Sequence, residues 1–335
     1  MHTPLRALSF LVAASLAALA CQAPRASGPE PVATGAEPSF EGRSVNIVTG
    51  PPGGVYVVYG AGIANVLTQR LKVSASPQST PASVDNMKLM RDGKADLALV
   101  LSDTAFEANA GKGRFAPPEA KADVKALAVM YTNYTHVVAK DGAGINTIGD
   151  LKGKRVSVGA AGSGTETIAN RVLEAAGLSA ETDIRRERMN PQDSSDALRD
   201  GKIDAFFWSG GLPTSSVFDL ANATRVKLIE HTAETKKMAE KYGPYYFETK
   251  VPKGTYKNES DVAVSGVANL LVAPSSFDAK LTQAILRTLF DYQPDLVTVH
   301  AEAKNLKLET AVEGSPIDYH QGAIDFYRSK GAWKK

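Results

Sequence analysis

Two glycine-rich turns carry the residue types in this sequence that could bind a ligand. The first, TGPPGGVY at 49–56, follows a β-branched run, and the second, GAAGSGTE at 159–166, follows another. A helical pattern starts after each turn, and the first backbone N–H groups of a helix have no partner within it. Glycine lets a ligand approach that backbone closely. The two turns therefore predict binding of a small anion by neutral donors.

Motifs for other chemistry are missing or incomplete. The first turn has no lysine where a phosphate-binding loop needs one. In the second turn the order of Gly159, Gly162 and Gly164 departs from the dinucleotide fingerprint G-x-G-x-x-G. The five histidines are scattered without H-E-x-x-H spacing, and no serine stands in G-x-S-x-G. The sequence therefore predicts no cofactor, no metal and no catalytic residue.

The elements that position these turns alternate between strand and helix. The pattern predicts helices at 81–91, 103–110, 165–176 and 191–199, and strands at 95–101, 155–159 and 203–208. Such alternation is typical of parallel sheets covered by helices on both faces. RDGKADLALV at 91–100 and RDGKIDAFFW at 199–208 repeat one helix end, turn and buried strand. The repeat indicates two similar α/β units, each with its own glycine turn.

The amino terminus predicts export. Arg6 precedes the apolar run 7–20, which resembles a secretory signal peptide and is too short for a membrane span. Cys21, the single cysteine, follows that run as in the bacterial lipobox, so we expect a lipid attachment there; ordinary cleavage nearby is the alternative. Residues 21–42 have the composition of a disordered tether. The net charge of +2 suggests neither a nucleic-acid partner nor contact with acidic lipid, which leaves the lipid anchor as the membrane link.

Several longer segments resemble the solute-binding proteins of TRAP (tripartite ATP-independent) transporters, in particular the TAXI group. They are TGPPGGVYVVYGAGIA, TPASVDNMKLMRDGKADLALVLSD, the run from YTNYTHVVAK through GSGTE to EAAGL, DGKIDAFFWSGGLPTSSVFDLA and the ending SPIDYHQGAIDFYRSKGAW. The resemblance covers about Val45 to Trp333. It implies a two-lobe type II periplasmic binding protein fold, in which each lobe is a mostly parallel sheet flanked by helices.

The resemblance also implies a domain plan and a function. The chain would cross between lobes twice, near 130–139 and 262–273, so that 44–134 and 262–335 form lobe 1 and 135–261 forms lobe 2. The protein would capture a dicarboxylate, an oxo acid or an acidic amino acid such as glutamate or 2-oxoglutarate. It would close on its hinge and deliver that ligand to membrane permease subunits. Val57 and Val58 stand where the family has Tyr-Pro, which favours a less polar oxo or hydroxy acid over glutamate.

Ten residues are the candidate ligand contacts, each with a structural alternative. In lobe 1 they are Gly53, Gly54, Val55 and Tyr56 of the first turn, Ser102 at a strand end, and Tyr134 on the first crossing. In lobe 2 they are Ser163, Gly164 and Thr165 at a helix start, and Trp208 as a wall. The alternatives are a tight turn for the glycines, helix capping for the hydroxyls and core packing for Trp208. Glu166 is assigned to structure or to bonding a ligand amine.

Two other functions stay open at the level of sequence. A periplasmic sensor could present the liganded lobes to a signalling partner, and an enzyme could be built on the same fold. Neither alternative has a motif of its own in this chain. We therefore expect a protein that binds and releases its ligand unchanged.

Overall fold

The computed structural model describes residues 39–334. Strands and helices alternate through most of that range, as the sequence predicts. The strands are β1 Ser44–Val48, β2 Ser74–Gln78, β3 Leu97–Leu101, β4 Val124–Lys140, β5 Arg155–Ser157, β6 Arg185–Glu187, β7 Ala205–Gly210, β8 Val226–Leu228, β9 Tyr246–Val251 and β10 Val262–Pro274. The helices are α1 Val55–Val66, α2 Ser83–Arg91, α3 Ser102–Ala110, α4 Gly164–Ala175, α5 Pro191–Arg199, α6 Ser215–Ala223, α7 Thr232–Tyr242, α8 Ala279–Asp291, α9 Gln293–Val299 and α10 Gln321–Ser329.

The strands form one continuous hydrogen-bonded path, β2-β1-β3-β10-β4-β7-β5-β6. At one end β1 is parallel to β2 and β3, and at the other end β5 is parallel to β6 and β7. The two longest strands join these ends: β4 pairs with β10 over 124–134 and with β7 over 134–139. Because β4 and β10 run between the two parallel sets of strands, the fold has two lobes, and the chain passes between them along these two strands.

The buried hydrophobic residues form three cores, which also separate into two lobes. One core draws on residues within 45–131 and 270–327, and we call the part of the chain built on it lobe 1. Two further cores draw on residues within 137–267, apart from Leu101, and they define lobe 2. The exact lobe boundaries expected from the sequence, between residues 134 and 135 and between residues 261 and 262, stay a prediction.

The repeated RDGK segments occupy equivalent places in the two lobes. Each ends a helix, α2 or α5, and leads into a fully buried strand, β3 or β7. The second aspartate of each repeat, which follows RDGK by two residues, accepts a hydrogen bond from a backbone N–H of the neighbouring strand. Asp96 accepts from Asn46 at 2.7 Å and Asp204 accepts from Arg155 at 2.8 Å. These hydrogen bonds therefore hold β1 beside β3 in lobe 1 and β5 beside β7 in lobe 2.

Most predicted elements agree with the structure to within a few residues. The helix predicted at 81–91 begins at Ser83, because Ala82 has φ 107°, outside the helical region. The folded region also starts earlier than expected. Phe40 packs on the core of lobe 1 and the Gly42 N–H donates to the Lys72 carbonyl at 2.9 Å, although both residues fall in the predicted tether. The signal peptide, Cys21 and the tether up to residue 38 lie outside the described residues.

None of the helices within residues 39–334 combines the length and the apolar character needed to cross a bilayer.

Candidate functional site

A cavity lies between the lobes where several helices begin. It encloses about 450 Å³ of space free of protein atoms, part of it open to solvent. The lining consists of Pro51, Gly54, Val55, Tyr56, Pro81, Ala82, Ser83, Leu101 and Asn133 from lobe 1, and of Gly159, Ala160, Ser163, Gly164, Thr165, Pro191, Trp208, Ser209 and Gly210 from lobe 2.

The start of α1 supplies the lobe 1 donors that the sequence predicts. Gly54 is the N-cap residue and no side chain caps the helix there, so the first-turn N–H groups from Val55 onward keep their capacity to bind a ligand. No acidic residue occupies that first turn. Gly54 is required for the close approach of lobe 2, because a Cβ there would lie 2.8 Å from the Trp208 ring.

The hydroxyl of Tyr56 is buried beside the cavity without a hydrogen-bond partner of acceptable geometry among the described residues. It lies near the side chains of Ser83, Asn133 and Asn269, which lower its pKa, but burial raises that pKa by more. The phenol is therefore neutral and able to donate. A buried polar group left unpaired costs about 1–3 kcal/mol, which a ligand acceptor would offset.

The start of α4 supplies the facing wall in lobe 2. The Ser163 hydroxyl accepts the Glu166 N–H at 3.1 Å and donates to the Ala160 carbonyl at 2.6 Å, so it acts as the helix cap. The Thr165 hydroxyl accepts the Ser209 N–H at 3.2 Å. The Ser209 hydroxyl itself is buried and makes no hydrogen bond within 39–334. The O–H groups of Ser209 and Thr165 are thus the side-chain donors left free on this wall.

Trp208 forms a flat part of the cavity wall. Its indole Nε1 donates to the Thr214 hydroxyl at 2.8 Å, which fixes the ring orientation. The opposite edge of the ring faces Gly54. The side chain therefore both packs in a lobe 2 core and lines the cavity, so the two interpretations made from sequence are compatible.

Residues beside the cavity hold the lobes close together. The Gly53 carbonyl accepts from Ser216 Oγ at 3.1 Å, and the Asp85 N–H donates to the Gly162 carbonyl at 3.1 Å. A Cβ on Gly164 would lie 2.4 Å from Leu101 Cδ1. The lobes thus meet through backbone and glycine contacts that leave no room for larger residues.

The structure brings seven of the ten predicted contacts to the cavity. Gly53, Ser102 and Tyr134 are not among the lining residues. Gly53 bonds across to lobe 2 through its carbonyl, and Ser102 is fully buried with its hydroxyl unpartnered. Tyr134 lines a separate surface pocket with Asn305 and Lys307. Ligand contact by the ten residues stays a prediction.

Several lining residues were not predicted from the sequence. Ser83, Asn133 and Ser209 add polar groups, while Pro81 lies two residues before α2 and Pro191 is the first residue of α5. The repeat could have revealed the prolines, because each lies at or just before the start of an RDGK helix. Ser209 follows Trp208 at a strand end, which is where ligands bind in open α/β sheets. Asn133 had no local signal, because its position depends on the pairing of β4 with β10.

The cavity lining has no acidic or basic side chain. Glu166 turns away from it and is bonded by Arg114, Arg186 and Arg188. Burial raises the pKa of Glu166, but Arg188, the Gly162 N–H and Arg114 together outweigh burial and lower it. Glu166 therefore has the structural role proposed from sequence. In the described part of the chain, no cluster of His, Cys, Asp and Glu side chains could hold a metal ion.

Comparisons with known proteins agree with this architecture. A sequence model of the NMT1-like family matches residues 47–331. A solved structure described as a periplasmic transporter is 12% identical, with 86% of this chain and 92% of that chain covered and a TM-score of 0.51. A protein of Bordetella bronchiseptica RB50 is 18% identical, with coverage of 85% and 89% and a TM-score of 0.51.

The periplasmic aliphatic sulphonate binding protein SsuA of Escherichia coli is 16% identical, with 86% and 90% covered and a TM-score of 0.47. At such identities a structural likeness indicates a shared fold. The two-lobe α/β fold of periplasmic binding proteins, predicted from the sequence, is confirmed by the first two structures.

Proposed function

The chain belongs to the NMT1-like family, and from this premise we propose that it is an extracytoplasmic solute-binding protein. It captures a small organic anion between its lobes, closes around it and releases it unchanged to a membrane transporter. The observation that carries the proposal is the cavity between the lobes, where the uncapped start of α1 and two unpartnered hydroxyls lie together.

The transporter is of the TRAP type, and the protein is its TAXI-group component. This finer proposal rests on the sequence segments that resemble that group, and permease subunits are then the partners. Cys21 would hold the protein at the membrane by a lipid after removal of residues 1–20. Replacement of Cys21 by serine would then release the protein into the soluble fraction.

The ligand classes are dicarboxylates, oxo acids and acidic amino acids, such as 2-oxoglutarate and glutamate. The cavity suits an anion because its free donors are N–H and O–H groups. A cation such as arginine would find no carboxylate in the lining. A thermal-shift screen of these acids, with a sulfonate and arginine as comparisons, followed by calorimetry, tests the proposal. Stabilisation by arginine alone would contradict it.

Tyr56→Phe tests the site with a matched control. The variant removes a buried hydroxyl that has no partner in the free protein, so we expect its melting temperature to stay close to that of the wild type. Affinity for the acid should fall about tenfold, because a hydrogen bond to a charged group contributes about 1.5–3 kcal/mol.

Tyr59→Phe is the control for this experiment. Tyr59 lies one turn further along α1, and its hydroxyl is also buried without a partner, but it does not line the cavity. Calorimetry should therefore detect weakening for Tyr56→Phe and none for Tyr59→Phe. Equal affinities for both variants and the wild type would remove Tyr56 from the site.

A further inference from the structure

Resting on the proposed function, we infer that the solute is a small acid with a single negative charge and an apolar body. Its carboxylate lies at the start of α1 in lobe 1, and its body lies against Trp208, Pro191 and Ala160 in lobe 2. This narrows the ligand from organic anions in general to monocarboxylates.

The charge pattern at the helix starts distinguishes α1 from the others. Five helices begin at the cavity, α1 to α5, since each has a lining residue in or next to its first turn. Four of them carry an acidic residue in the first turn, which opposes a bound anion. These residues are Asp85 in α2, Asp103 in α3, Glu166 in α4 and Asp193 in α5. The first turn of α1 has neither an acid nor a side-chain cap.

A side chain next to that helix start points independently to a ligand. Tyr56 is only 7% exposed and lines the cavity, and its hydroxyl has no partner of acceptable hydrogen-bond geometry among the described residues, although the side chains of Ser83, Asn133 and Asn269 lie near it. It is the second residue of α1, so its O–H and the first-turn N–H groups belong to one short segment. Together they can hold one carboxylate by hydrogen bonds that are strengthened by its charge.

The helix starts on the lobe 2 wall suit a second carboxylate less well than the start of α1. At α4 the Ser163 hydroxyl already accepts the Glu166 N–H and the Glu166 carboxylate lies in the first turn, and α5 begins with Asn190 as cap and with Pro191, which has no N–H. Three arginines lie near α4, but they are balanced by three carboxylates and none of the six lines the cavity. They are Arg114, Arg186 and Arg188, with Glu166, Glu181 and Asp85.

Apolar surface fills the space that a second charge would need. Trp208, Pro191 and Ala160 line this side, and burial of a charged group against such surface without a partner is strongly unfavourable. Two hydroxyls are the exception: that of Ser209 is buried and unpartnered, and that of Thr165 accepts the Ser209 N–H but keeps its own proton free to donate. Neutral hydroxyls suit a neutral oxygen, such as the oxo or hydroxyl group of a substituted acid.

The direct test compares two acids of one shape. In 5-methyl-2-oxohexanoate an isopropyl group replaces the second carboxylate of 2-oxoglutarate, so the pair differs mainly in charge at one end. Calorimetric titration of the full-length chain should give an affinity at least about tenfold higher for 5-methyl-2-oxohexanoate, because its isopropyl group matches the apolar wall.

A pair of variants tests where the carboxylate lies. Val57 is in the first turn of α1, half-buried and outside the lining. Val57→Glu places a negative charge at this helix start, and Val57→Gln places a neutral side chain of the same size there. We expect Val57→Glu to bind 5-methyl-2-oxohexanoate about three- to tenfold more weakly than Val57→Gln, with the difference reduced by salt.

The outcomes separate this inference from the proposed function. Tighter binding of 2-oxoglutarate than of 5-methyl-2-oxohexanoate would overturn the inference and leave an anion-binding protein in place. Equal binding by Val57→Glu and Val57→Gln would overturn the location at α1. If the screen of acids gives no binding at all, the proposed function fails, and the inference fails with it.

Discussion

At the scale of single residues, the polar groups of the cavity divide into those already bonded and those left free. Ser163 and Thr165 have their hydroxyls engaged in capping α4 and fixing Ser209. Tyr56 and Ser209 have buried hydroxyls without partners among the described residues. We therefore expect the second group, together with the free O–H of Thr165, to make the side-chain contribution to binding.

A second residue-scale feature is the buried histidine His231. Its Nδ1 bonds the Ile229 carbonyl at 3.0 Å and its Nε2 accepts the Ser265 N–H at 3.0 Å, an arrangement that needs the neutral ring. Burial lowers the pKa of His231 to about 4. In the unfolded chain the pKa is about 6.5, so the unfolded state binds more protons between these values. The contribution of His231 to stability is complete above pH 6.5 and is lost as the pH falls toward 4.

His231→Gln should reveal this contribution. A glutamine oxygen can accept the Ser265 N–H but does not titrate, so the free energy of unfolding of the variant should depend less on pH. Between pH 6.5 and 4 we expect the slopes of wild type and variant to differ by up to about 1.4 kcal/mol per pH unit. Urea unfolding at several pH values measures both slopes. Parallel curves would mean that the ring is not held neutral.

At the scale of elements, the repeated aspartates explain why two distant stretches share one pattern. Asp96 and Asp204 each directly precede a buried strand and bond the backbone of the parallel neighbour. Asp204 also pairs with the Arg155 side chain at 2.6 Å, and the guanidinium lowers the pKa of the Asp204 carboxyl. The local sequence thus sets strand register through a side-chain bond to the backbone.

Asp96→Ala and Asp204→Ala should therefore both destabilise the protein, and Asp204→Ala should do so somewhat more because it also loses the pair with the Arg155 side chain. Each leaves one partly buried backbone N–H without its partner, at a cost of about 1–3 kcal/mol. Asp141→Ala is a control, because Asp141 is an exposed residue just after β4. Urea unfolding should give a lower free energy for the two repeat variants only. A loss confined to one of them would show that the repeat is not equivalent in the two lobes.

At the scale of the whole molecule, the lobes are joined by contacts on several sides of the cavity. Beyond the contacts at Gly53 and Gly164, Arg171 of α4 reaches α3, where it bonds Asp103 at 3.2 Å and also Glu107. Asp103 and Arg171 are both buried. The attraction within these ion pairs favours closure, but opening of the lobes would return the charges to water, and this hydration offsets part of that attraction.

Gly164→Ala tests whether the ligand requires this close approach. The added Cβ would lie 2.4 Å from Leu101 Cδ1 and 3.0 Å from the Ser83 hydroxyl, both in lobe 1. We expect the lobes of the variant to stay further apart, with a larger radius of gyration by small-angle X-ray scattering and about tenfold or more weaker ligand binding.

The control for Gly164→Ala is Gly149→Ala, which also lies in lobe 2. A Cβ there would meet only the Thr147 hydroxyl, at 3.6 Å, which is an ordinary contact. This variant should keep the wild-type radius of gyration and affinity. If both alanine variants behaved like the wild type, close contact between Gly164 and lobe 1 would not be needed for binding.

The sequence by itself determined the fold class and the places where helices begin. Glycine turns, strand patterns and the RDGK repeat are local features, and each acts within a few residues of the chain. They predicted a helix after the first glycine turn, a helix start near Ser163 and a strand ending near Trp208. All three lie at the cavity, because parallel strands present their carboxyl ends at one edge of a sheet.

Only the tertiary structure decided which side chains reach the cavity and which hydroxyls stay free. Ser102 does not line the cavity although Leu101 does: Leu101 is the last residue of β3, whereas Ser102 is the first residue of α3 and is fully buried. Asn133 enters through the pairing of β4 with β10, which joins residues more than a hundred positions apart. Sequence patterns report neighbours along the chain, whereas the approach of one lobe to the other depends on packing between distant segments.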